Sequence, residues 1–143
     1  MPLADNAAYA AALYREIQKI AQTDAWLPPE KTMRLYALLR DFFDAIAEEA
    51  HVALLTQYTR IAYVCHKQAV PQATQRYIYE FRKQANDLNY ARQSFAPTHY
   101  ALGLYACANA VAAVTNVPIT PDLAALLPEA GFYQFTDIVA KNH

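Results

Sequence analysis

Only two of the 143 residues are glycine, Gly103 and Gly131. Average usage would supply about ten. Glycine is the residue that lets backbone take positive φ or approach a ligand closely. A chain this poor in it has little material for tight hairpins or phosphate-cradling loops. No stretch alternates apolar and polar residues as a half-buried strand does, and no Asn-Gly or Asp-Gly pair marks a hairpin. The remaining fold class is all-α. With 55% hydrophobic and 17% charged residues, the chain is too apolar for disorder. Its length supports one core, so residues 1–143 read as a single helical domain.

The periodicity predicts a bundle of five to seven helices. The first covers roughly Asp5 to Gln22, with Tyr9, Leu13, Ile17 and Ile20 on its apolar stripe. Leu27-Pro28-Pro29 breaks the chain, and helix two starts near Pro29 with Leu35, Leu39, Phe42 and Ile46 inward. The helical pattern then runs on to Ala69, with a break expected near Glu49 to Val52. Helix three presents Leu54, Tyr58, Ile61 and Cys65. After Val70-Pro71, helix four presents Tyr77, Phe81, Ala85 and Leu88. Its outer face, Arg76, Glu80, Lys83, Asp87, alternates in sign and predicts pairing along the helix. Helix five, capped by Thr98, is alanine-rich and apolar from Tyr100 to Val114, interrupted by Asn109. It is too short to span a bilayer and reads as the central, buried helix. Thr120-Pro121-Asp122 opens a short sixth helix, and a last one is expected over Tyr133 to Lys141.

Chemistry-bearing patterns are few. Glu48-Glu49-Ala50-His51 contains one Glu-x-x-His, but a di-iron bundle needs two plus further glutamates. Cys65-His66 and His99 with Cys107 lack the paired spacing of zinc sites. The cysteines read as small core residues rather than nucleophiles. No metal, no cofactor and no catalytic residue is expected. The chain opens without a basic and apolar leader, and two cysteines fit a reducing, cytoplasmic setting.

Charge is unevenly spread. Residues 1–59 carry a balance of −3 and residues 93–143 one of −2, whereas residues 60–92 carry +4. The cations of the middle segment are Arg60, Lys67, Arg76, Arg82, Lys83 and Arg92, interleaved with Tyr63, Tyr77, Tyr79 and Tyr90. Basic groups beside aromatic platforms are what single-stranded nucleic acid requires. Those six cations are the candidate nucleic-acid path, and Tyr63, Tyr79 and Tyr90 a candidate interaction surface. A solvated charged face and half-buried core-edge tyrosines account for the same residues without a ligand.

The stretch Tyr58-Thr59-Arg60-Ile61-Ala62-Tyr63-Val64-Cys65-His66-Lys67, then Val70-Pro71, then Phe81-Arg82-Lys83-Gln84-Ala85-Asn86, resembles a helical element ahead of the motor in some bacterial superfamily-1 helicase-like ATPases. The resemblance implies an N-terminal accessory domain of a larger protein. The motor's Gly-x₄-Gly-Lys-[Ser/Thr] loop is absent from this sequence, so ATP hydrolysis does not come with it. Partners on this reading are the rest of a larger chain, another protein, or single-stranded nucleic acid, with no membrane. A free-standing protein-binding adaptor and a small-molecule-binding bundle bordered by helix five are the alternatives.

Overall fold

The computed structural model describes residues 6–50 and 56–135, and these form an all-α bundle of six helices with no strand among the described residues. In chain order they are α1 (Asn6–Gln22), α2 (Pro28–Glu49), α3 (Gln57–Lys67), α4 (Gln72–Asn89), α5 (Pro97–Thr115) and the single turn α6 (Pro121–Ala124). Helix two ends where the break was expected, at Glu49. Leu54, His51 and all but the first three residues of the expected last helix lie outside the described residues; Tyr133, Gln134 and Phe135 are not helical.

α5 is central, as its composition requires. α1, α2 and α4 all pack on it, and α3 packs on α2. Leu102, Ala106, Cys107, Ala110 and Val111 are fully buried along it. Small side chains let three helices approach one axis. The closest approach is at Gly103, where an added Cβ would lie 2.8 Å from the Phe81 ring and 3.2 Å from a Leu35 methyl.

The inward faces of α2 and α4 are close to expectation. Leu35, Leu39, Phe42 and Ile46 are buried, as are Tyr77, Phe81 and Ala85. α1 is rotated from its expected face. Ala10, Tyr14, Ile17 and Ile20 are buried, while Tyr9 and Leu13 are only half-buried. Tyr14 is drawn inward because its hydroxyl donates to the Val117 carbonyl at 2.5 Å, satisfying a polar tip inside the core. On α3, Ile61 and Cys65 face inward as expected, joined by Val64, whereas Tyr58 is 53% exposed.

Helix ends show how a chain short of glycine closes its turns. After α3, the Val70 N–H reaches the Cys65 carbonyl at 2.9 Å and the Ala69 N–H the His66 carbonyl at 3.3 Å. After α4, Arg92 and Ala91 bond Asp87 and Leu88 in the same way. Both are Schellman closures, whose left-handed position usually holds glycine. Here alanine fills it, Ala69 at φ 51° and Ala91 at φ 56°.

The start of α5 differs from expectation too. The cap is Ala96 rather than Thr98, Pro97 takes the first helical position, and His99 Nδ1 accepts from the Ala96 N–H at 2.9 Å. That bond needs an unprotonated Nδ1. Burial pushes the His99 imidazole below its ordinary pKa. In the unfolded chain His99 titrates at about 6.5. The unfolded state therefore binds the proton more readily, and this contribution to stability is present above that pH and lost as pH falls below it. The urea midpoint is expected to drop between about pH 7.5 and 5.5, and His99→Gln should flatten that drop. Parallel pH profiles for the two proteins would contradict it.

Candidate nucleic-acid interface on α3 and α4

The six candidate cations do not form one row. Arg60 leans to α2, with Nη1 3.3 Å from the Asp44 carboxylate. Lys67 lines a small cavity between the end of α2 and α3, with Glu49 and Tyr63 on its wall. Arg92 follows the end of α4, its guanidinium 5.2 Å from the exposed Tyr90 ring and 3.8 Å from Asp87. The remaining three are brought together. Positions 76, 79 and 83 share a helix face, and Arg76, Tyr79 and Lys83 line one groove of about 350 Å³ along α4. Phe135 forms its other wall, and the Arg76 guanidinium lies 4.4 Å from that ring centre.

Tyr79 joins this groove to α3. Its ring centre is 5.0 Å from that of Tyr58, and the Arg82 guanidinium sits 5.7 Å from the Tyr58 ring. Arg82 is held there by its Nε donating to Gln57 Oε1 at 3.1 Å. Gln57 Oε1 also accepts from the Tyr36 hydroxyl at 2.9 Å, which fixes α3 to α2. α3 and α4 thus meet through side chains rather than along their backbones. The result is a surface of three cations, Arg76, Lys83 and Arg82, and two adjoining, mutually tilted phenols, Tyr58 and Tyr79.

The acidic member of that face is otherwise engaged. Along α4 the Glu80 carboxylate accepts from Gln84 Nε2 at 2.6 Å, and from outside the helix it accepts from the Tyr133 hydroxyl at 2.5 Å. Burial first, then the Glu80 carboxylate beside it, pushes the Tyr133 phenol up to about 12. Burial, with Cys65 and Tyr58 adding to it and Arg82 opposing, pushes Tyr79 up to about 12 as well. Both remain neutral phenols at physiological pH, and neither places a negative charge on the basic face. The signal sequence reading lacked is Tyr133: it approaches Glu80 from 53 residues away.

Of the other tyrosines in the basic segment, Tyr90 is exposed, Tyr63 is half-buried and Tyr77 is turned inward. Tyr77 meets Tyr105 at 4.5 Å and Phe132 at 6.0 Å between ring centres, so Tyr77 belongs to the packing that holds the segment after α6. Both cysteines are buried and unpaired. Burial pushes the Cys65 thiol up to about 11 and Cys107 further, and the Cys107 Sγ lies 3.3 Å from the Leu35 carbonyl. Among the described residues, no three metal-ligating side chains converge. None of the described helices is long and apolar enough to cross a membrane. Compared with protein-family models, with curated proteins and with solved structures, the chain matches none of them.

Proposed function

We propose that this chain is a non-catalytic helical accessory domain that holds single-stranded nucleic acid on its α3–α4 face, in the manner of a domain that precedes a helicase-like motor. One observation carries the reading: Arg76 and Lys83 line a groove with Tyr79, whose ring adjoins that of Tyr58, and Arg82 lies over Tyr58. Cations follow a phosphate backbone, and an exposed phenol offers a face to a base without reading its identity. Two buried thiols held in the protonated form support a non-catalytic role, and their unpaired state suits a reducing, cytoplasmic setting.

Fluorescence anisotropy with a labelled oligothymidylate at low salt is the test. Three neutralised phosphates give a log–log salt slope of about −2 on a single strand. Arg76→Gln with Lys83→Gln should weaken binding and bring the slope to about −0.7. Tyr58→Ala should cost about 1–3 kcal/mol of binding at constant slope. Absence of binding at low salt, or binding indifferent to these changes, would overturn the proposal in favour of a protein partner.

A further inference from the structure

The cations of the basic segment differ in what holds them. Arg60 and Arg92 each face a carboxylate, Asp44 and Asp87. Arg82 is held by a neutral group instead: its Nε donates to Gln57 Oε1 at 3.1 Å. Its neighbours one turn away on α4 are Ile78, Tyr79, Ala85 and Asn86, none of them acidic. Among the described residues no carboxylate pairs with Arg82, and its two Nη nitrogens have no hydrogen-bond partner. Its position is fixed while its charge stays uncompensated. The acceptor is itself anchored. Gln57 opens α3, and its Oε1 also accepts from the Tyr36 hydroxyl of α2 at 2.9 Å. The Asn86 side-chain amide of α4 lies 2.9 Å from that same hydroxyl. Positions 82 and 86 are one turn apart, so these contacts close a loop through α2, α3 and α4. The Tyr36 ring is braced edge-on against Phe81, 6.2 Å away.

We propose that, given the nucleic-acid reading of the α3–α4 face on which this rests, Gln57 is a positioning residue: it aims the Arg82 guanidinium so that Nη1 and Nη2 take a phosphodiester beside a base resting on Tyr58. The guanidinium already lies 5.7 Å from the Tyr58 ring centre. A guanidinium presents its donors as a rigid fork, and two parallel N–H groups match two phosphate oxygens. Holding Nε in place removes much of the side chain's freedom before the ligand arrives, which lowers the ordering cost of binding. An amide is the acceptor that does this without cost to the charge. A carboxylate at position 57 would hold the same nitrogen, but it would cancel the field that attracts the phosphate. Gln57 thus acts through Arg82 and touches no ligand itself.

Two substitutions separate geometry from charge, read by anisotropy with labelled oligothymidylate over a range of salt concentrations. Gln57→Leu removes the acceptor and leaves Arg82 charged but unguided. Binding is expected to weaken about fivefold with the log–log slope unchanged at about −2. Gln57→Glu keeps the acceptor and neutralises the cation, so the slope should fall to about −1.4, the value for two phosphates. Tyr36→Phe removes the anchor of Gln57 and should weaken binding in the same sense as Gln57→Leu; it carries the comparison if circular dichroism shows that Gln57→Leu has lost helix. In an Arg82→Gln background, Gln57→Leu should have no further effect. A residue that only supports the fold would weaken binding by the same factor with or without Arg82, and would leave the slope of Gln57→Glu at the wild-type value. Wild-type affinity in both Gln57→Leu and Tyr36→Phe, or losses that add to that of Arg82→Gln, overturns the proposal and leaves the reading of the α3–α4 face in place. Absence of binding by the wild-type chain overturns both.

Discussion

Phe81→Ala is expected to remove about 3–5 kcal/mol from the unfolding free energy. Phe81 is fully buried, and its ring lies between the edge of Tyr36, 6.2 Å away, and the Gly103 backbone. It fills the contact between α4 and α5, where α4 has most of its packing. Loss of the ring leaves a void that a glycine has no side chain to fill. Urea unfolding measures the effect, and a change below about 1 kcal/mol would show that the α4–α5 contact is not where the stability lies.

Gly103→Val is expected to cost about 2 kcal/mol, against the direction helix propensity predicts. Replacing an interior helical glycine ordinarily gains a few tenths to 1 kcal/mol. Here the new Cβ would meet the Phe81 Cε1 and Cζ atoms at 2.8 Å. The ring cannot swing away, because Phe81 has no exposed surface to move into. Overpacking of this kind costs about 1–3 kcal/mol, which outweighs the propensity gain. The two sites should be coupled. Phe81→Leu shortens the obstructing group, so the double variant should be more stable than the sum of the singles by about 1 kcal/mol. Additivity within about 0.3 kcal/mol would show that the two residues do not contend for the same space.

Both effects reside in elements whose identity was plain from the sequence. α5 has apolar or small residues on every side, so no rotation of it could be exposed. α4 has Phe81 flanked by Tyr77 and Ala85 on one face and charges on the other, so one orientation was favoured. α1 was ambiguous for a physical reason. Tyr9, Leu13, Ile17 and Ile20 mark one apolar line, Ala10 and Tyr14 lead into the same Ile17 from beside it, and periodicity cannot choose between adjacent lines. The choice falls to Val117, whose carbonyl takes the Tyr14 hydroxyl from more than a hundred residues away.

The candidate site was legible only in part, for a related reason. Charge counting found the basic segment, and helical spacing put positions 76 and 83 on one face. Which cations would lie together depended on partners elsewhere. Asp44 takes Arg60 to α2, while Gln57 holds Arg82 over Tyr58. Glu80 is shared between its helical neighbour Gln84 and the distant Tyr133. Long, flexible charged side chains are placed by the nearest suitable group, and nearness between helices is a property of the fold.

The two bonds that tie α1 to the far end of α5 also bear on how the protein is made. Asn6 Nδ2 donates to the Thr115 carbonyl at 3.0 Å, and the Tyr14 hydroxyl donates to the carbonyl of Val117. α1 leaves the ribosome early and its permanent neighbour late. At synthesis rates of about 5–20 residues per second, the interval between the two is on the order of ten seconds. During that time α1 has α2 for company but no α5 to cover Ala10, Tyr14 and Ile17. α1 is thus made well before the helix that secures it, and a newly made chain must keep an apolar surface out of trouble until its central helix emerges.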